Sequence, residues 1–325
     1  MNVYRNLAEV PADFGPCALT IGNFDGLHFG HRQILRRVVA VARERGWKPS
    51  ILTFHPHPAR VLAPERAPRL LTSPERRLEL IQEEGIDQVL ILPFTPELAK
   101  LTPEQFVREL VVARLGARAI LVGQNFRFGN KQRGDVAVLA EFGPDLGFEV
   151  DAIAPVSCRG QLVSSSAVRE SILAGRVAWA ARLLQRPYDL DGDVVKGHGV
   201  GAKQTVPTLN LDTRAELIPA RGVYLTRTQE LDAGAPPRRW NSITNIGYRP
   251  TFGDEQELSI ETFLLHTLAG ATPTRIRVQF LCRVRDERRF DSPGALKSQI
   301  LKDVHVAQAY FRRLSAWRDR PVTRV

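Results

Sequence analysis

Gly22-Asn23-Phe24-Asp25-Gly26-Leu27-His28-Phe29-Gly30-His31 decides how the first half of this chain folds. It follows the apolar run Cys17-Ala18-Leu19-Thr20-Ile21, which reads as a buried strand. After it, Ile34, Leu35, Val38, Val39 and Ala42 recur at the spacing of one helix face. The stretch is therefore a strand-to-helix turn, at the carboxyl end of a strand where open α/β sheets bind ligands.

Its residue types suit phosphate. Gly22, Gly26 and Gly30 admit positive φ and close backbone approach. A helix start offers free N–H groups and the positive end of a dipole. His28 and His31 can point at one place and donate hydrogen bonds to a triphosphate as charge moves onto a leaving pyrophosphate. With an ordinary pKa near 6.5, either ring would be readily protonated by a nearby phosphate. A bare H-x-x-H would be met as well by two solvated histidines, and a metal site would need a third ligand that the stretch lacks.

Working outward, short apolar strands alternate with helical segments. Strands are expected over 50–54, 88–92, 119–122 and 148–153. Ser73-Pro74-Glu75 opens a helix that Gly85 closes, and Thr102-Pro103-Glu104-Gln105 opens another that ends at Gly116. Strands separated by helices imply a parallel sheet. The pattern changes after about residue 184. Short alternating runs at 222–226, 240–246, 258–265 and 275–281 then suggest a small antiparallel barrel or sandwich, followed by a helix over about 292–314. The expected domains are 1–184 and 185–325.

Composition bounds the class. The 325 residues are comfortable for two domains. No apolar run approaches the roughly 20 residues of a transmembrane helix, and the N-terminus shows no apolar signal-peptide core. Three scattered cysteines show neither disulfide nor zinc spacing, which fits a reducing cytoplasm. The net charge of +10 favours anionic partners, but the arginines are spread along the chain rather than gathered in a tail.

Three more stretches gather at the expected first site. The run Thr53-Phe54-His55-Pro56-His57-Pro58 is a proline-stiffened loop that presents His57. The run Gly123-Gln124-Asn125-Phe126-Arg127-Phe128-Gly129 follows the fourth strand. Arg127 there suits a phosphate and the two phenylalanines a flat ring, against the plainer reading of two core rings and a surface charge. In Val163-Ser164-Ser165-Ser166-Ala167-Val168-Arg169, capping explains one serine but not three plus an arginine.

These four stretches resemble the prokaryotic bifunctional riboflavin kinase/FMN adenylyltransferases, or FAD synthetases, with their G-x-F-D-G-x-H-x-G-H, F-x-P-H-P, G-x-[DN]-F-R-F-G and S-S-T-x-[IV]-R patterns. The resemblance implies an α/β nucleotidylyltransferase domain with a Rossmann-like parallel sheet, in which FMN phosphate attacks the α-phosphorus of ATP. It implies that His28 and His31 handle the ATP phosphates, with Gly22, Asn23, Asp25 and Gly30 beside them. Ser165, Ser166 and Arg169 would bind the β/γ end. His57, Asn125, Phe126, Arg127 and Phe128 would lie near the flavin. Ser166 stands where the family usually has threonine, and keeps the hydroxyl.

The second half has its own chemistry. Gly192 to Gly201 is glycine-rich but lacks the end of a Walker A loop. In Val206-Pro207-Thr208-Leu209-Asn210, Thr208 and Asn210 alternate onto one strand face, so their oxygens can meet one Mg²⁺ and a nucleotide phosphate. An ordinary turn and strand fits the spacing as well. Glu261 lies among Ile260, Phe263 and Leu264, as a solvent-face acid or as a general base for an alcohol. These stretches, with Gly222-Val223-Tyr224 and Asn245-Ile246-Gly247-Tyr248-Arg249-Pro250-Thr251-Phe252, resemble the riboflavin kinase half of the same family. By that resemblance the second domain is a small antiparallel β-barrel with a C-terminal helix. Glu261 activates the riboflavin 5′-hydroxyl, Thr208 and Asn210 hold MgATP, Gly197 and Gly199 approach the phosphates, and Arg285 lies in a flap near the flavin. Thr205, Gln204 and Leu209 depart from the family pattern; Thr205 stands where a glycine is usual.

The chain thus reads as an enzyme that makes FMN and then FAD from riboflavin and ATP, with Mg²⁺. The alternative is an adenylyltransferase beside a degenerate kinase barrel that binds or regulates. No nucleic-acid partner and no membrane are expected, and a homo-oligomer is left open. Class I tRNA synthetases share H-x-G-H, but this chain has no K-M-S-K-S-like lysine loop.

Overall fold

A computed structural model describes residues 1–195, 208–232, 237–250, 256–288 and 290–318. The chain forms two compact units, Met1–Val168 and Arg169–Val325.

The first unit opens with β1 (Asn2–Tyr4), which period-2 reading of so short a run misses, and continues with β2 (Cys17–Ile21). All five residues of β2 are buried, as a strand covered on both faces requires. Next come α1 (Phe29–Arg45), β3 (Lys48–His55), the short α2 (Pro58–Leu62), α3 (Pro74–Glu83) and β4 (Gln88–Pro93). α4 (Pro103–Gln105) runs on as a π-wound stretch, Phe106–Arg114, before β5 (Ala117–Gly123), α5 (Val136–Leu146) and β6 (Glu149–Ile153). The six strands form one parallel sheet in the order β1-β4-β3-β2-β5-β6.

Alternation along β2 sends side chains to two cores. Cys17, Leu19 and Ile21 join Leu52, Ile120 and the 106–115 helix on one face. Ala18 joins Ile51, Leu35, Val38 and Leu80 beneath α1 and α3 on the other. The helix starts are those expected: Ser73 Oγ accepts from Arg76 N–H at 3.1 Å. Thr102 and Gln105 form a full capping box.

A small hairpin, β7 (Ser157–Cys158) with β8 (Gln161–Leu162), precedes α6 (Ser165–Leu173) and α7 (Val177–Leu184). The second unit then builds a closed antiparallel barrel, so the choice between barrel and sandwich is settled. Its strands are β9 (Tyr188–Val195), β10 (Thr208–Asp212), β11 (Gly222–Glu230), β12 (Arg239–Pro250), β13 (Gln256–Leu264) and β14 (Arg275–Arg285), in the order β10-β13-β12-β11-β14-β9. Gly192 to Val195 lie in β9 and not in a loop, because they pair with β10 and β14. The barrel interior combines rings and aliphatics with a ladder of fully buried hydroxyls. Thr226 bonds Ser242 and Thr244, both at 2.8 Å, Thr228 bonds Ser242 at 2.8 Å, and Thr244 bonds Thr262 at 3.0 Å. Buried hydroxyls are tolerated when paired in this way. The final helix, α8 (Pro293–Arg318), packs Ala307 and Phe311 on Val223, Leu225 and Ile243 of the barrel's outer face. Among the described residues, no helix is long and apolar enough to cross a membrane.

Candidate active sites

The turn after β2 is wound tightly. Phe24 and Leu27 hold positive φ of 49° and 40°, a conformation that costs energy for non-glycine residues and clusters at functional turns. Gly26, at φ 77°, suits glycine best: any side chain there would be strained, and a Cβ would lie 2.6 Å from Leu71 Cδ1. Asp25 is buried and accepts from the N–H of Leu71 at 3.0 Å and of Thr72 at 3.3 Å. So Asp25 shapes the turn through backbone bonds. Its own carbonyl accepts from Ser165 Oγ at 2.9 Å, which ties the start of α6 to the same turn.

His28 caps α1: its Nδ1 accepts from His31 N–H at 3.3 Å. That bond requires an unprotonated Nδ1, so the proton of the neutral ring sits on Nε2. The His28 and His31 rings stack with centroids 3.6 Å apart, and the edge of Phe24 meets His31 at 5.2 Å. The two histidines therefore do converge. His31 keeps an edge at the surface while its Nδ1 is buried with no hydrogen-bond partner. Desolvation pushes the His31 imidazole well below its usual range, and His28 and then Arg77 push the same way. The easy protonation expected from an ordinary pKa is therefore corrected: the fold holds His31 neutral.

His57 follows the cis His55–Pro56 bond and caps α2. Its Nε2 lies 3.2 Å from Asn23 Nδ2, so the second loop meets the first. Of the serines, Ser164 is the cap, accepting from Ala167 N–H at 3.2 Å. Ser165 holds Asp25, Ser166 is exposed, and Arg169 lies half-buried farther along α6. In the loop after β5, Asn125 and Arg127 are exposed, with Arg127 paired to Asp135 at 3.0 Å. Phe128 is 7% exposed and belongs to the core, so an open platform of two rings is corrected to one. Phe126 stacks on Phe128 at 5.4 Å and keeps the accessible face, while Phe128 supports it from below.

Sequence reasoning missed Arg77. It is 6% exposed, and its Nη1 donates to the Asn23 carbonyl at 2.8 Å. A charged residue on the core-facing side of α3 was the available signal. Two shallow depressions flanking Trp47 and Arg118 lie at the amino ends of the strands, the end opposite to this turn.

In the barrel, Thr208 and Asn210 alternate with the buried Leu209 and Leu211, so both share one face as expected, and that face is the outer one. Glu261 stands directly opposite Asn210 across the β10–β13 ladder and opposite Asn245 across β12–β13. One row on the outer face thus reads Asn210, Glu261, Asn245. Asn245 was quoted within its loop but not singled out; period-2 alternation against the buried Thr244 and Ile246 carried the signal. Ser259 Oγ donates to Glu261 Oε1 at 3.2 Å. Glu287 reaches the same face: a Cβ on Gly247 would lie 2.0 Å from its Oε1 and 3.3 Å from Asn245 Nδ2. Arg285 is tied to α8, with its Nε and Nη2 donating to Asp303 Oδ2 at 3.1 and 2.8 Å. Gly197, Gly199, Gln204 and Thr205 lie outside the described residues. Among the described residues no group of three or more His, Cys, Asp or Glu side chains clusters as a metal site.

Residues 10–167 match the FAD synthetase family and residues 184–311 the Riboflavin kinase family. The bifunctional riboflavin kinase/FMN adenylyltransferase of Escherichia coli (strain K12) is 34% identical over 308 residues, 94% of this chain and 96% of its own. That of Pseudomonas fluorescens is 35% identical over 309 residues, 95% of this chain and 97% of its own. A crystal structure described as a macrolide-efflux protein from Streptococcus pneumoniae superposes with a TM-score of 0.82 at 25% identity, covering 94% of this chain and 98% of that one. The two family matches fall on the two folds just described and in the same order, and the chain belongs to the bifunctional riboflavin kinase/FMN adenylyltransferase family.

Proposed function

We propose that the chain phosphorylates riboflavin to FMN in its barrel domain, 185–325, and adenylylates FMN to FAD in its first domain, 1–184, working in the cytoplasm. The observation that carries this reading is that each half holds its own converged set of reactive groups: the stacked His28–His31 pair on a helix start, and the Asn210–Glu261–Asn245 row.

In the first reaction Glu261 takes the proton of the riboflavin 5′-hydroxyl, and that oxygen attacks the γ-phosphorus of ATP, releasing ADP. Thr208 and Asn210 present hard oxygen donors on one face, which fit Mg²⁺, and would hold it there; bound Mg²⁺ supplies charge neutralisation for the ATP phosphates. Asn245 and Ser259 orient the Glu261 carboxyl.

In the second reaction an FMN phosphate oxygen attacks the α-phosphorus of ATP, and pyrophosphate leaves. His28 Nε2–H and the N–H groups at the start of α1 meet the charge moving onto pyrophosphate. Gly22, Asn23, Asp25 and Gly30 shape that cradle, and Ser165, Ser166 and Arg169 extend it towards the β/γ end. Phe126, with Phe128 behind it, takes the flavin ring, while His57, Asn125 and Arg127 flank the flavin nucleotide. Arg285 contributes by fixing the start of the flap to α8.

The test is flavin chromatography on two full-length variants. His28→Ala loses FAD formation and keeps FMN formation, and Glu261→Ala does the reverse. A folded variant that loses both activities overturns the two-site assignment.

A further inference from the structure

We propose that Arg77 is a positioning residue for adenylyl transfer, locking the turn that carries His28 and His31 and placing a fixed positive charge behind them. This rests on the adenylyl-transfer reading of that site. The start of α3 grips the turn at two points. Asp25 accepts from the backbone of Leu71 and Thr72, just before α3, and Arg77, in the helix's first turn, donates to the Asn23 carbonyl at 2.8 Å. Asn23 in turn meets His57, so the Arg77 bond orients the residue that joins the two loops.

A guanidinium at 6% exposure is an expensive way to hold one carbonyl. A neutral amide could make the same bond. What arginine adds is charge that persists when buried, since its burial lowers its pKa without discharging it. Among the described residues, the charges that push on His31 are His28 from the turn and Arg77 from α3. Asp25, in the turn, and Glu75, on α3, interact with Arg77 and offset part of its charge. On α1, Arg32 and Arg36 are both paired with Glu84. The Arg77 charge therefore acts on the stacked histidines and on the phosphates they receive.

Full-length Arg77→Gln and Arg77→Lys test this. FAD formation from FMN and ATP is measured from pH 5.5 to 8.5. His31 is titrated by NMR without substrates. Riboflavin phosphorylation serves as the folding control. In Arg77→Gln the expected result is a fall in kcat of about 10- to 100-fold, the scale of lost supporting contacts. The His31 titration moves to higher pH, because a cation that opposed the imidazolium is gone. Arg77→Lys, which keeps the charge, leaves the His31 titration in place and recovers part of kcat. If the glutamine variant does not fold, a lysine variant whose His31 titrates higher than in wild type overturns the charge role by itself. Wild-type-like kcat and His31 titration in folded Arg77→Gln overturn the inference alone. A wild-type enzyme that makes no FAD overturns the underlying reading with it.

Discussion

His31 illustrates how burial sets the chemistry of one side chain. Its folded pKa lies well below the ordinary value, first by desolvation and then by His28 and Arg77. The unfolded chain titrates this histidine near 6.5. Between those values only the unfolded state takes up the proton. The stability His31 allows is therefore complete above about pH 6.5 and is lost as pH falls below it. The acid slope from this one proton approaches about 1.4 kcal/mol per pH unit. Urea unfolding from pH 5 to 8 should show a shallower acid limb in His31→Gln than in wild type; equal limbs would mean that His31 titrates normally. The pair itself was legible from the sequence, because histidines three residues apart at a helix start must share a side. The neutral state was not, because it depends on burial in the fold and on the repulsion of His28 and of Arg77, which α3 brings to the ring. Arg77 was legible only through its place on the core-facing side of α3, and that signal is faint. Beside Arg76 in a polar helix start it looks like any surface arginine, and only the fold buries it.

At the scale of elements, alternation located β11, β12, β13 and β14 but cut most of them short, while β9 carried only a glycine-rich signal. β12 runs over Arg239–Pro250, against an expected 240–246, because ladder pairing to β11 and β13 extends a strand beyond its own pattern. The row Asn210–Glu261–Asn245 is a product of that register, which a single strand does not disclose. The segment after β14 depends on it too. Glu287 occupies the space where any side chain at 247 would begin, next to Asn245. Gly247→Ala must therefore displace the Glu287 carboxylate from beside Asn245 at the end of the row. Riboflavin phosphorylation should fall by about 10-fold or more, the scale of a displaced supporting group, while FAD formation from supplied FMN stays unchanged. Both rates can be read in one coupled assay. An alanine variant with full kinase activity would show that Glu287 has no part in aligning the row.

At the scale of the molecule, each compact unit carries its own buried core. Leu19 lies in the sheet core, fully buried between Cys17 and Ile21. Phe280 fills the barrel, fully buried, with its ring edge-on to Tyr224 at 5.4 Å. Emptying either position removes packing that the surroundings recover only partly. Leu19→Ala is expected to cost about 2–5 kcal/mol and Phe280→Ala about 3–5 kcal/mol. Those losses are a large part of the 5–15 kcal/mol typical of a domain. The chemistry divides along the same line, with His28 and His31 on the sheet unit and Glu261 on the barrel. Heating should then separate the activities. Phe280→Ala should lose FMN formation at a temperature where FAD is still made from supplied FMN, and Leu19→Ala should lose adenylylation while phosphorylation persists. Activity against temperature for the two reactions checks this directly. Loss of both activities at one shared temperature in both variants would mean that the two cores unfold as one, and that stability does not follow the division of the chemistry.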